Sequence, residues 1–175
     1  MAKKDQLNTR LDGNILAIFN DIAKQMNLSP GTLGTQVITQ WVEFYYYKIQ
    51  RGDVILSKQI LSKFLDAFDK KRIDEVAKYA AKVMIDDIKT QEGSDITYQT
   101  LVDHILKWNK GNHLIFNKIE KDDSDMFISK HSLGYNWSEL ESKTYAKVFQ
   151  SIGQTVINTE FEDGIFSFEV IRHKK

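Results

Sequence analysis

The sequence predicts an α+β protein of two parts, and three patterns along the chain indicate this. A short alternating segment at residues 5–11 precedes two helical periodicities that end near residue 49. A polar stretch, Gln50 to Asp53, then interrupts the apolar pattern. Residues 54–175 follow the order α-α-α-β-β-α-β-β, which is typical of helices packed on one side of an antiparallel sheet. We therefore expect one domain at residues 1–50 and a second at residues 54–175.

The first domain begins with a segment that has the two-residue period of a strand. Successive side chains of this segment point to opposite sides. Gln6, Asn8 and Arg10 lie on one side, and Leu7, Thr9 and Leu11 lie on the other. Residues 14–26 then carry one apolar stripe at helical spacing, which predicts a helix. Because serine caps helices and proline fits their first turn, Ser29 and Pro30 predict the start of a second helix.

The second helix is apolar over more than half of its circumference. Its large side chains are Leu33, Val37, Ile38, Trp41, Val42, Phe44 and Tyr45. One neighbouring helix is too narrow to cover such a surface. The lone strand before it also lacks a sheet partner, which would leave its backbone groups unpaired. Two copies solve both problems when their strands pair across a two-fold axis and their four helices interlock, so we expect a homodimer.

The second domain is predicted element by element from its periodicity. We expect helices at residues 57–69, 71–91, 97–110 and 136–152, and strands at 113–120, 125–132, 154–162 and 165–173. Asp163 and Gly164 between the last two strands are a strong hairpin signal. The expected core residues of the longer helices are Ile73, Val76, Ala77, Ala80, Val83, Met84, Ile88, Trp137, Leu140, Tyr145, Val148, Phe149 and Ile152.

Composition narrows the class of protein. The 175 residues include 24 basic and 24 acidic side chains, so no overall charge steers the chain toward nucleic acid or membrane. Cysteine is absent, which excludes disulfides and thiolate metal sites. No apolar run approaches the roughly 20 residues that a membrane helix needs. We expect a soluble, cytoplasmic protein without a membrane partner.

The N-terminal sequence resembles the ribbon-helix-helix family of DNA-binding repressors, the Arc/MetJ type. The segments that carry the resemblance are QLNTRL at 6–11, ILAIFNDIA at 15–23 and LSPGTLGTQVITQWV at 28–42. The resemblance covers residues 4–48 and implies an intertwined dimer whose two-stranded ribbon enters the major groove of double-stranded DNA. Thr9 and Gly34 depart from it, because the family generally has apolar residues at these positions.

The resemblance assigns DNA-contacting roles to residues of this first domain. Gln6, Asn8 and Arg10 match the base-reading positions, and these residue types suit the task because arginine bonds guanine while asparagine and glutamine bond adenine. A phosphate is expected at Ser29, Gly31 and Thr32, where a helix N-terminus favours an anion. Lys3 and Lys4 precede the strand and are expected to contact phosphates as well.

The second domain is not similar to a family that we recognise. Extra domains in ribbon-helix-helix proteins sense a ligand or mediate assembly, so the resemblance implies one of these roles and an unidentified small-molecule effector. The most distinctive segment is HSLGYNWSELE at 131–141. One interpretation is a strand-to-helix turn anchored by a tryptophan; the alternative is a ligand pocket lined by Tyr135 and Trp137.

Enzyme motifs are missing from the sequence. The four histidines have no metal-binding spacing, and neither a phosphate-binding glycine loop nor a nucleophile elbow occurs; these histidines are His104, His113, His131 and His173. We therefore expect no catalytic residues, metal or cofactor. The sequence is interpreted as a homodimeric transcriptional regulator. The alternative is a ligand-binding protein whose N-terminal module serves only for dimerisation.

Overall fold

The chain divides into two compact units, which are described separately. The structure, a computed structural model, describes residues 7–54, 56–93 and 95–172. The first unit ends at Arg51 and the second begins at Gly52, a division that falls within the polar stretch at 50–53.

In the described part of the first unit, residues 7–51, all regular elements are helices. Its elements are α1 (Gly13–Gln25), α2 (Pro30–Gln40), a π-helical segment (Trp41–Tyr45) and α3 (Tyr46–Arg51). The Asp12 carboxylate accepts a hydrogen bond from the Asn14 N–H at 2.9 Å and so fixes the start of α1. The last three elements form one continuous helical run, in which the Tyr46 N–H donates to the Trp41 carbonyl five residues earlier.

Residues 7–11, the described part of the strand predicted at 5–11, do not form a strand in the single chain. Residues 7–12 adopt neither helix nor strand, and the residues before them, including Gln6, lie outside the described part of the chain. The physical reason is that a strand requires a hydrogen-bonded neighbour, and the only sheet in the described residues belongs to the second unit.

The second unit has the predicted order of elements. These are α4 (Lys58–Asp66), α5 (Lys70–Glu92), α6 (Tyr98–Gly111), β1 (Ile115–Glu120), β2 (Ser124–Lys130), α7 (Tyr135–Ser151), β3 (Thr155–Glu162) and β4 (Ile165–Ile171). Side-chain oxygens of Ser57, Asp69 and Thr97 accept a backbone N–H in the first turns of α4, α5 and α6. These caps satisfy donors that a helix start leaves unpaired, which explains where the three helices begin.

The four strands form one antiparallel sheet in the order β1-β2-β4-β3. β2 and β4 lie at its centre, and their register places Phe127 opposite Phe168. Alternate residues of β4 are buried, namely Phe166, Phe168 and Val170, because one face of the sheet is covered by helices. Helix α7 packs against β3 and β4, and α6 packs against β1. The α+β fold class is thereby confirmed.

Aromatic rings dominate the larger core cluster of this unit. The Phe127 and Phe168 rings stack with their centroids 5.0 Å apart, and Tyr145 and Phe149 of α7 close over them. The predicted burial of Tyr145, Val148 and Phe149 is confirmed. A smaller cluster joins Leu65, Ile73, Ala77 and Leu140.

One prediction for the core face of α5 is wrong. Val83 is 39% exposed, whereas Ala81, which was not expected in the core, is buried. At about 100° per residue, the buried residues Ile73, Ala77, Ala81 and Ile88 fall within about 80° of one another around the helix, and Val83 lies about 120° from the centre of this stripe. Val83 is exposed because it lies at the edge of the apolar face.

A buried carboxyl group lies between these packed helices. The Tyr145 hydroxyl accepts a hydrogen bond from Asn109 Nδ2 at 2.9 Å and also bonds the Glu141 carboxyl. The second oxygen of Glu141, Oε2, is buried without a hydrogen-bond partner among the described residues. Burial raises the pKa of Glu141 from its ordinary 4.5 to about 7, because the charged form loses its hydration.

We expect Glu141→Gln to reduce the pH dependence of stability. Since the folded pKa lies above the unfolded one, the wild-type protein loses stability as pH rises from 4.5 to about 7, when the carboxyl ionises more readily in the unfolded chain. Glutamine does not ionise, so the stability of the variant lacks this decrease. The free energy of unfolding of the variant should therefore rise relative to that of wild type across this pH range. Urea unfolding at several pH values measures both free energies. The exposed Glu162→Gln is the control, and equal pH profiles for Glu141→Gln and wild type would contradict the buried acid.

Gly164, in the turn between β3 and β4, is expected to tolerate substitution less well than Gly153. Gly164 has φ 78°, and a Cβ there would lie 2.9 Å from the carbonyl oxygen of His131. Gly153 has the same φ but open space around the Cβ position. We expect Gly153→Ala to cost about 1 kcal/mol through its backbone conformation alone, and Gly164→Ala to cost clearly more because of the added clash. Urea midpoints compare the two variants, and equal losses would show that the close contact is unimportant.

Candidate nucleic-acid interface

The residues expected to read bases lie before α1. Asn8 and Arg10 are exposed to solvent, as contact with a base edge requires. They are two positions apart, so they share a face wherever this segment is extended. Gln6, Lys3 and Lys4 fall outside the described residues. The structure thus describes only part of the set that the sequence suggests.

The residues expected to hold a phosphate surround the start of α2. Ser29 Oγ accepts a hydrogen bond from the Thr32 N–H at 3.1 Å and lies 2.8 Å from the Thr32 hydroxyl. Pro30 has no N–H to donate. The Gly31 N–H has no acceptor among the residues that the structure describes. Of the backbone donors near this helix end, Gly31 therefore has the N–H that is open to an anion, while that of Thr32 is engaged by the cap.

The apolar face of the first unit is largely uncovered in the single chain. Among the described residues of this unit only Ala23 and Leu33 are buried. The large apolar side chains that are between 40% and 68% exposed are Leu7, Leu11, Ile15, Leu16, Ile18, Ile22, Met26, Val37, Ile38, Trp41, Val42, Tyr46, Tyr47 and Ile49. Exposure of so many large apolar side chains is uncommon on the surface of a monomeric soluble protein.

Gly34, one of the two positions that depart from the family pattern, adjoins this face. A Cβ at Gly34 would lie 3.8 Å from the tip of the Phe19 ring, an ordinary van der Waals distance. Packing within the chain therefore does not require a glycine here.

Tyr135 and Trp137 occupy different surroundings in the second unit. Trp137 is half-buried against the smaller core cluster, whereas Tyr135 is 51% exposed and packs edge-on against Phe161. Between them, Asn136 Nδ2 donates to the carbonyls of Leu65 and Phe68 and so ties this turn to the end of α4. These contacts explain both aromatic residues as parts of the strand-to-helix turn.

His131 and Ser138 form a polar pair beside this turn. His131 Nε2 lies 3.0 Å from Ser138 Oγ, and Nδ1 accepts the Leu133 N–H at 3.2 Å. Burial lowers the pKa of His131 to about 4, so the ring is neutral near pH 7. Because Nδ1 is an acceptor, Nε2 carries the proton and donates it to Ser138. A histidine in that state does not remove the serine proton, so the geometry favours a structural role for the pair.

No protein-family model matches the chain, and no curated protein matches it. In the part of the chain that the structure describes, no three histidine or acidic side chains gather as metal ligands. No helix within residues 7–54, 56–93 and 95–172 is both long and apolar enough to cross a membrane. The structure therefore defines the chain as an α+β protein. The described part of its first unit is helical and exposes many large apolar side chains.

Proposed function

We propose that the chain is a homodimeric transcriptional regulator that reads the major groove of DNA with a two-stranded ribbon. The observation that carries this proposal is the uncovered apolar face of the first unit. Burying one large apolar side chain is worth about 1.5–3 kcal/mol. A unit that buries so few of its apolar residues gains too little to remain folded by itself, so a second copy is the natural cover.

A second copy also supplies the strand partner that the N-terminal segment lacks. Two copies of residues 5–11 related by a two-fold axis pair as antiparallel strands, which satisfies their backbone groups. In that ribbon Gln6, Asn8 and Arg10 of both copies lie on one face. A two-stranded ribbon fits the major groove, where these side chains distinguish base pairs. The Gly31 N–H at the positive end of α2 then suits a flanking phosphate.

The alternative function is a ligand-binding protein in which the first unit only dimerises. One observation favours it: residues 1–50 contain five basic and four acidic side chains, which is a weak positive charge for a DNA-binding module. Non-specific DNA affinity comes almost entirely from neutralised phosphates, so this module would bind random duplex poorly. Any useful affinity must then come from base contacts, which makes Arg10 decisive.

The dimer is tested with a charge placed on the apolar face. We expect the wild-type chain to sediment as a dimer at micromolar concentration, and Ile38→Lys to sediment as a monomer because an unpaired lysine would be buried at the interface. Thr39→Lys, the neighbouring exposed position on α2, should remain dimeric. A wild-type monomer with native helix content would overturn the proposed dimer.

The DNA-binding role is tested at Arg10. A duplex enriched by the wild-type protein from a random pool serves as the specific target, and scrambled duplex as the non-specific one. We expect Arg10→Ala to weaken binding to the enriched duplex by about 1–3 kcal/mol, roughly 5- to 150-fold, with little change on scrambled duplex.

Arg10→Lys is the matched variant for this experiment. Lysine keeps the charge but loses the planar pair of donors that reads guanine. We expect Arg10→Lys to lose specificity nearly as Arg10→Ala does, whereas full recovery with lysine would indicate a phosphate contact instead. If neither substitution changes DNA binding while the dimer stays intact, the dimerisation-only alternative holds.

A further inference from the structure

The second unit has an open groove that is lined by none of the site residues predicted from the sequence. It lies where the end of α5, the start of α6 and the end of α7 meet, and it has a volume of about 900 Å³. Small-molecule sites in proteins usually measure about 300–1,000 Å³. The groove is therefore large enough for a small organic ligand.

One side of the groove is apolar and fixed. Ile85, Ile96 and Ile152 line it, and all three are half-buried because they also pack against the larger core cluster. Side chains held by the core lose little further freedom when a ligand covers them. This wall is thus suited to the apolar body of a ligand.

The polar side of the groove is positively charged. Lys89 and Arg172 line it together with one acidic residue, Asp95. In the described part of the chain, Lys89 and Gln154 make no side-chain hydrogen bond or ion pair. The first turn of α6 also borders the groove and adds the positive end of a helix dipole.

Arg172 is positioned by a buried carboxylate behind the groove wall. Asp125 is fully buried, and its Oδ2 accepts the Tyr98 hydroxyl at 2.5 Å and pairs with Lys118 at 3.2 Å. Its other oxygen, Oδ1, lies 3.4 Å from Arg172 Nη1 and receives no hydrogen bond within the described residues. Arg172 Nη2 donates to the carbonyls of Lys121 and Asp122. The guanidinium is held on one side, while Nη1 keeps donor capacity.

We propose that this groove binds a small organic anion, with the apolar body against the isoleucine wall and the anionic group between Lys89 and Arg172. Arg172 Nη1 can donate one charge-assisted hydrogen bond to the anionic group, and the Lys89 ammonium can donate a second. The proposal concerns the second unit alone and does not depend on DNA binding by the first.

The test uses benzoate as the probe on the full-length protein. Backbone amide NMR signals are followed while benzoate is added, with benzamide as the uncharged analogue of the same shape and inorganic phosphate as an anion without an apolar body. We expect saturable shifts at Lys89, Gln99 and Gln154 with benzoate, and binding at least about tenfold weaker for benzamide, because a hydrogen bond to a charged group is worth about 1.5–3 kcal/mol.

Two variants of α5 make the test decisive. Lys89→Gln should weaken benzoate binding about tenfold, whereas Lys82→Gln, an exposed lysine outside the groove lining, should leave it unchanged. Lys89 is preferred to Arg172 because Arg172 also holds the β1–β2 turn. The proposal is overturned if benzoate causes no saturable shifts at these residues, or if benzamide or phosphate binds as well as benzoate. It also fails if both lysine variants behave alike.

Discussion

The packing of aromatic rings between the sheet and α7 is the interaction on which the second unit depends. Phe127, Phe168, Tyr145 and Phe149 meet where the two central strands face the helix, so they fix strand register and helix position together. The positions of the buried polar groups depend on this aromatic packing. Tyr145 brings a hydroxyl into the core, and Asn109 and Glu141 are its partners there. The isoleucine wall of the groove rests on the same cluster.

In the first unit, by contrast, many large apolar side chains are exposed and few are buried. Its helices are well capped, by Asp12 for α1 and Ser29 for α2, so local structure is defined by the chain itself. Its apolar face is not covered in the same way. Local capping interactions are each worth about 1 kcal/mol and do not replace a core. Folding of this unit and association of two chains are therefore best understood as one event in the proposed dimer.

Much of the second unit could be predicted from the sequence, because its signals are local. Helix periodicity, the Asp163-Gly164 turn and the alternation in β4 each lie within one element, and the observed bounds differ from the predicted ones by only a few residues. The exposure of Val83 was not predicted because this residue lies at the edge of the apolar stripe of α5, and periodicity alone does not define how much of that stripe the neighbouring helices cover. The strand predicted at residues 5–11 needs a hydrogen-bonded neighbour, and no described residue of the first unit forms one.

The groove was not predicted, because its parts lie far apart along the chain. Tyr98 begins α6, Asp125 lies in β2 and Arg172 directly follows β4, and no short motif links the three residues. One signal was present in the sequence: Asp125 alternates with Phe127 and Ser129, so an acid occupies an inward position of a strand. A charge at such a position demands partners. Tyr135 and Trp137 were predicted as pocket residues instead, because two large aromatic side chains within three residues form a local signal.

The π-helical segment has a consequence for the geometry of the long helix in the first unit. A turn closed by bonding to the fifth residue back contains one residue more than an α-turn. Since each residue advances an α-helix by about 100°, the positions after Tyr45 are rotated back by that amount relative to an uninterrupted α-helix. Without the extra residue Ile49 would lie about 120° around the helix from Val37, and with it the angle falls to about 20°. Val37, Ile38 and Ile49, which are all exposed in the single chain, therefore lie on one side of the helical run. The added residue thus extends one apolar stripe past the point at which regular α-helical spacing would have turned it away.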